Sequence, residues 1–146
     1  MYLSKVSANK YLIRLVKGEE MNTSIKRFCK KLGILNATLS GIGSLKNPTL
    51  AHYRVDTKKY KEKTFRAIFE LTSLIGNVAI FEGEPLVHAH ATISDQNMDS
   101  FGGHLVEGEV SATVEIVLDI LDSKHTKSYD EEIGLKLWDL PERLLK

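Results

Sequence analysis

Apolar and polar positions along this chain fall into two kinds of pattern, one helical and the rest strand-like. From Thr23, Ile25, Phe28, Cys29 and Leu32 fall at i, i+3, i+4 and i+7, the spacing that draws one stripe along an α-helix. Asn22 or Thr23 can cap its start and Gly33 its end, which leaves Lys26, Arg27, Lys30 and Lys31 mostly toward water. Cys29 lies on the stripe and reads as a small core hydrophobe. Around this helix the pattern is extended. "YLIRLV" (11–16), "ATLSGIGSLKNP" (37–48) and "TLAHYRV" (49–55) read as strands, and "DTKKYKEK" (56–63) as a basic loop.

From residue 64 the chain reads as strands throughout: "TFRAIFELTSL", "NVAIFEG", "PLVHAHATIS" and "EVSATVEIVLDIL". In the last, Val110, Ala112, Val114, Ile116, Leu118 and Ile120 make one face at period two, and Ser111, Thr113, Glu115 and Asp119 make the other. The short links "IGN" and "EGEP" predict hairpins, hence antiparallel pairing rather than long parallel crossovers. In the tail, Ile133, Leu135 and Leu137 alternate like a strand, while "DLPERLL" fits a last helical turn. The fold class expected is α/β of the α+β type, a mainly antiparallel sheet with one main helix after the first strands.

Length and composition narrow the setting. At 146 residues the chain is expected to form a single domain, 1–146, around one core. No apolar run is long enough to span a membrane, and the opening residues lack a signal-peptide h-region, so a cytoplasmic protein is expected. One cysteine excludes an intrachain disulfide and a multi-cysteine metal site; any metal must use imidazoles and carboxylates. The net charge of +1 hides an asymmetry: residues 1–66 carry 15 Lys or Arg against 4 Asp or Glu, and residues 67–146 carry 5 against 15. A basic surface for a polyanion and mutual neutralisation of the two halves both fit this, with neutralisation the simpler reading. Gly41 and Gly43 do not continue into a dinucleotide motif, because Lys46 stands where the third glycine is needed. Phosphate-binding P-loop and nucleophile-elbow motifs are absent from the sequence as well.

The chemistry concentrates in "EPLVHAHATISDQNMDSFGGHL" (84–105). In a strand, side chains two apart share a face, so His88 and His90 project together while Val87, Ala89 and Ala91 project the other way. The turn formers of "SDQNMDS" can bring the chain back and set His104 beside the pair. Gly102 and Gly103 permit the positive φ or close backbone approach that would aim a third imidazole. Three imidazoles with an open fourth position are a familiar Zn²⁺ set, and strand histidines on a polar face are the plainer alternative. His52 and His125 have no such companions and read as surface residues.

The block "FELTSLIGNVAIFEGEPLVHAHATISDQNMDSFGGHLVEGEVSATVEIVL" closely resembles the plants-and-prokaryotes domain, PPC, which in plants accompanies AT-hook motifs. "YLIRLVKGEEMNTSIKRFCKKLGILNATLSGIGSL" resembles the family's opening strand, helix and glycine-marked strand in the same order, so nearly the whole chain is covered. The resemblance implies a compact α/β fold on an antiparallel sheet, assembly as a homotrimer, and a role in DNA binding. It also implies a metal, usually zinc, at the positions that fall here on His88, His90 and His104. Glu70 and Ser73, within "FELTSLIGN", become candidate pocket or supporting residues. Plant members contact A·T-rich minor grooves through an Arg-Gly-Arg-Pro core, which this sequence lacks, so that mode does not carry over.

Three functions stay open on these grounds. One is a DNA-associated trimer with phosphate contacts from the basic half, Lys58, Lys59, Lys61 and Lys63 among them. Another is a metalloprotein that binds a small molecule at a His₃ zinc centre, or hydrolyses one there, with only Glu70, Glu115 and Asp95 to name as bases. The last is a structural metal that stiffens the sheet. Catalytic residues stay unassigned, and no organic cofactor is expected.

Overall fold

The computed structural model describes residues 1–141. Its elements in chain order are β1 (Tyr2–Ser7), β2 (Lys10–Val16), α1 (Met21–Leu32), β3 (Ala37–Arg54), β4 (Lys59–Thr64), β5 (Ile68–Phe81), β6 (Glu84–Ser94), β7 (Ser100–Ile120), β8 (Lys127–Asp130) and β9 (Leu135–Trp138). The first seven strands form one sheet in the order β1-β2-β7-β6-β5-β3-β4, with a further β3–β7 pairing that closes β3, β5, β6 and β7 into a ring. Every ladder in it is antiparallel. The expected class, an antiparallel sheet with one main helix after the first strands, is what the structure has. β8 and β9 form a separate hairpin.

The core fills with the period-two faces of the long strands: Ile13 and Leu15, Leu39, Leu74 and Val78, Ala89 to Ile93, and Val114 to Leu118. Helix α1 lies against β6 and β7 and buries Met21, Ile25, Phe28 and Cys29. Each such large apolar side chain contributes roughly 1.5–3 kcal/mol on burial, more than the helix could gain from its own propensity. Burial pushes the Cys29 thiol up to about 12, consistent with a core hydrophobe. Gly33 ends the helix at φ 65° as expected. The start differs: Glu20 is the cap, its carboxylate accepting from the backbone N–H groups of Asn22 and Thr23. Leu32 falls off the buried stripe and is exposed.

Other expectations shift for identifiable reasons. "KNP" does not interrupt β3, which runs unbroken where two strands were expected. "IGN" is no hairpin but the middle of β5. A Cβ on Gly76 would sit 2.5 Å from the His88 carbonyl oxygen and 2.9 Å from Ala89 Cα, so this glycine lets β6 approach closely. "EGEP" is a hairpin as expected, a two-residue loop of Glu82 and Gly83 with φ of 51° and 80°. The segment read as a basic loop is a turn only through Lys58; from Lys59 it is the strand β4, exposed at every position, and charge on an edge strand discourages further pairing and hides the apolar alternation that would identify a strand. Ala112 is exposed rather than part of the buried face. Asp139 to Pro141 are not helical, and the rest of "DLPERLL" lies outside the described residues.

Four basic residues of the first half meet carboxylates of the second among the described ion pairs. Lys10 pairs with Asp119, Lys26 and Lys30 with Glu84, and Lys46 with Glu109, each joining the basic half to the acidic half.

Candidate metal centre

His88 and His90 leave β6 on the face opposite the buried Ala89 and Ala91. β7 then returns alongside, and His104 takes the position directly opposite His90. The turn between is built from its own side chain, Asp95 accepting from the backbone N–H groups of Asn97 and Asp99. The three rings form a nearly equilateral triangle with centroid separations of 5.3, 5.2 and 5.5 Å. One ligating atom from each lies within 4.8 Å of the other two. Of the two glycines, Gly103 answers to close approach, since a Cβ there would meet the Ala51 carbonyl oxygen at 2.9 Å; Gly102 has ordinary space, with nothing nearer than 3.7 Å. Neither has a positive φ.

The electrostatics suit a cation that displaces no proton. Burial, then the charge of Lys127 and the neighbouring imidazoles, holds His88 down at about 4, and burial lowers His104 in the same way. Both are therefore neutral ligands at neutral pH. His104 Nδ1 is buried without a hydrogen-bond partner, as is Asn77 Oδ1, whose residue stands opposite His88. An orphaned imidazole nitrogen inside a cluster of three is what a ligand would satisfy. At Zn–N distances of about 2.0–2.1 Å a tetrahedral ion sets its ligands ~3.4 Å apart, so nitrogens that lie within 4.8 Å of one another would close by at most about 1.4 Å to hold it. The donor set fits a transition cation.

A cavity of about 300 Å³ opens beside His88 and His104, walled across by β8 and β9. Tyr60 of β4 tilts over His104 with ring centroids 5.2 Å apart. Lys127, at the start of β8, is only 6% exposed. Its Nζ lies 3.5 Å from His88 Nδ1 and 5.3 Å from the centre of the Trp138 ring, and burial lowers its pKa. Sequence reasoning missed Tyr60, Asn77 and Lys127. Tyr60 sat in a segment read as a loop, and Lys127 carries no local signal, since it reaches the site only through the fold of the tail.

The remaining candidates lie elsewhere. Glu70 is exposed on β5 and lines neither this cavity nor the larger groove of about 780 Å³ on the sheet; Ser73 and Glu115 line that groove. Asp95 is committed to its turn. The histidine cavity thus has no carboxylate in its described lining. Lys58 donates to the Glu131 carbonyl, which ties it to the β8–β9 hairpin. Lys59, Lys61 and Lys63 alternate along β4, away from Tyr60, and Lys63 Nζ lies over the rings of Phe65 and Phe101 at 4.5 and 5.1 Å. His52 is exposed, and His125 is half-buried with its backbone held by Asn36.

Residues 2–122 match the Plants and Prokaryotes Conserved domain. Among solved structures, a plant- and prokaryote-conserved protein of Pyrococcus horikoshii is 42% identical, with 97% of this chain and 96% of that one covered and a TM-score of 0.86. A metal-containing protein of Archaeoglobus fulgidus is 29% identical over 94% of this chain and 98% of its own, at a TM-score of 0.83. A candidate DNA-binding protein of Bacteroides thetaiotaomicron is 28% identical over 94% and 96%, at 0.90. No curated protein matches the sequence.

Proposed function

This chain belongs to the plants-and-prokaryotes conserved domain family, and from that premise we propose that it is a metal-binding protein whose His88, His90 and His104 together hold one divalent transition cation. The carrying observation is the triangle of rings with mutually reachable nitrogens, one of them buried and unpartnered. The metal-containing relative of Archaeoglobus supports the same reading. Zinc is the cation we assign, because an all-imidazole donor set suits it and three protein ligands leave a position open. Bound there, zinc would supply Lewis acidity and an acidic water. The chain's own residues would orient the imidazoles, screen one side with the β8–β9 hairpin and keep the ligands deprotonated. The absence of a carboxylate in the described cavity lining favours ligand binding over hydrolysis assisted by a protein base.

We extend the reading to a homotrimer. Ile42 and Ile75 are 60% and 66% exposed, and Leu3 and Leu12 are exposed beside them around the larger groove; so large an apolar face favours burial against further copies. Duplex DNA is the second reading, supported by the Bacteroides relative's description and by Lys59, Lys61 and Lys63 on one side of an exposed edge strand. The test of the metal reading is cobalt substitution. A visible d–d spectrum that saturates at one equivalent per chain, and shifts when azide is added, supports three imidazoles with an open position; a spectrum identical to free aqueous cobalt rejects it.

A further inference from the structure

The cavity beside the imidazoles is electrically one-sided. Lys127 is more than nine-tenths buried, and among the described residues no carboxylate lies within ion-pair distance of its Nζ. Its neighbours are the Trp138 ring and, at the long limit of a hydrogen bond, His88 Nδ1. A buried ammonium without an anion is costly to maintain, and the charged side chains lining the cavity, Lys127 and Lys136, are both cationic. Lys136 is placed over the Phe81 ring, which leaves Lys127 as the charge at the imidazoles. The remainder of the wall is largely apolar, with Leu86, Leu135 and Leu137 facing the same space.

The hairpin that carries Lys127 is fixed in place. Tyr53 Oη donates to the Ile133 carbonyl at 2.6 Å, Lys58 Nζ donates to the Glu131 carbonyl at 2.7 Å, and Thr126 bridges to Ile80 of β5. It lies beyond residue 122, where the family match ends.

We infer that this cavity binds a small aliphatic carboxylate, its anionic head held between Lys127 and the cation at His88, His90 and His104 and its chain against Leu86, Leu135 and Leu137. An inorganic anion would leave the leucine wall unused, and a neutral amide would leave the ammonium unpaired. A volume of about 300 Å³ is at the small end of ligand sites and sets a short chain. One of the two anchors rests on the metal reading; the other is independent of it.

The experiment measures butanoate and butanamide binding to the whole protein, zinc-loaded and metal-free, for wild type and Lys127→Met. Butanoate should bind the loaded wild type at least tenfold more tightly than butanamide, and K127M should lose at least tenfold of that affinity. Metal-free wild type should bind butanoate more weakly but still with dependence on Lys127, so the carboxylate site is scored even if zinc is never taken up. Methyl NMR signals of Leu86, Leu135 and Leu137 should move on butanoate addition; this locates the site in wild type should K127M fail to fold. Equal binding of acid and amide, unchanged affinity in K127M, no butanoate binding in either form, or shifts confined to the larger groove would each overturn the inference.

Discussion

His90 and His104 stand directly opposite each other across the β6–β7 ladder, with ring centroids 5.5 Å apart, and His88 reaches the same point from two residues along β6. Two ligands are thus set by strand periodicity and the third by register, a more rigid arrangement than a loop could offer. Replacing any one imidazole by alanine should weaken zinc binding by at least about 100-fold, since even the partners that support metal ligands are worth 10–100-fold. His90 is exposed, so H90A should do this with the metal-free melting temperature unchanged. Competition with a chelator of known affinity measures it.

Gly76 provides the room for that register. Gly76→Ala places a Cβ against the His88 carbonyl and Ala89 Cα, both backbone atoms that cannot rotate away. Overpacking of this kind costs about 1–3 kcal/mol. Urea unfolding should show that loss, and zinc affinity should fall with it because His88 moves with its own backbone. Gly102→Ala, where no neighbour is nearer than 3.7 Å, should leave both quantities nearly unchanged.

How much of this the sequence revealed depends on what each residue answers to. The histidine pair follows from period two alone, and His104 from a turn that Asp95 builds locally, so both were legible. The helix stripe was legible at Ile25, Phe28 and Cys29, whose partners are core residues, but not at its cap: Glu20 wins the role because its carboxylate reaches Asn22 N–H and Thr23 N–H. Asn22 meanwhile turns to the carbonyls of Leu105 and Val106. Gly76 resembled a turn because glycine marks both tight bends and close strand contacts, and only the partner strand distinguishes them. Lys127 could not be found by any local rule, because its meaning comes from burial against His88, 39 positions away.

Protonation should destabilise the metal-free protein well above the carboxylate range. His88 is held at about 4 and His104 is lowered too, whereas an unfolded imidazole titrates near 6.5. Between those values the unfolded chain binds protons that the native one does not, so stability present above pH ~6.5 is lost as pH falls toward ~4. Glu19 and Glu84, both held below the ordinary carboxylate value, act only below about pH 5. The melting temperature should therefore drop by roughly 5 °C between pH 7 and 5, and less in a His88→Gln variant. A flat profile over that range contradicts the stated burial of these rings.

Asn36 should prove a structural anchor of the tail. It is fully buried and makes four side-chain bonds, donating to the Leu35 and His125 carbonyls and accepting from Ser123 Oγ and His125 N–H. Asn36→Ala strands those groups at about 1–3 kcal/mol each in the worst case. Denaturant unfolding should show a loss of at least ~2 kcal/mol, and proteolysis should begin within residues 121–138.

If duplex DNA is a partner, the β4 lysines carry the phosphate contacts. Replacing Lys59, Lys61 and Lys63 together by alanine should weaken binding at low salt and make log K about three units less steep against log salt, since each released contact is worth ~0.9. An unchanged slope removes β4 from any such interface.

The central claim, that three imidazoles grip one cation, is tested most directly by calorimetric zinc titration of metal-free protein beside its His104→Ala variant. The account predicts one zinc per chain for the parent and no saturable uptake at the same concentrations for the variant. Equal uptake by both, or none by the parent, contradicts it.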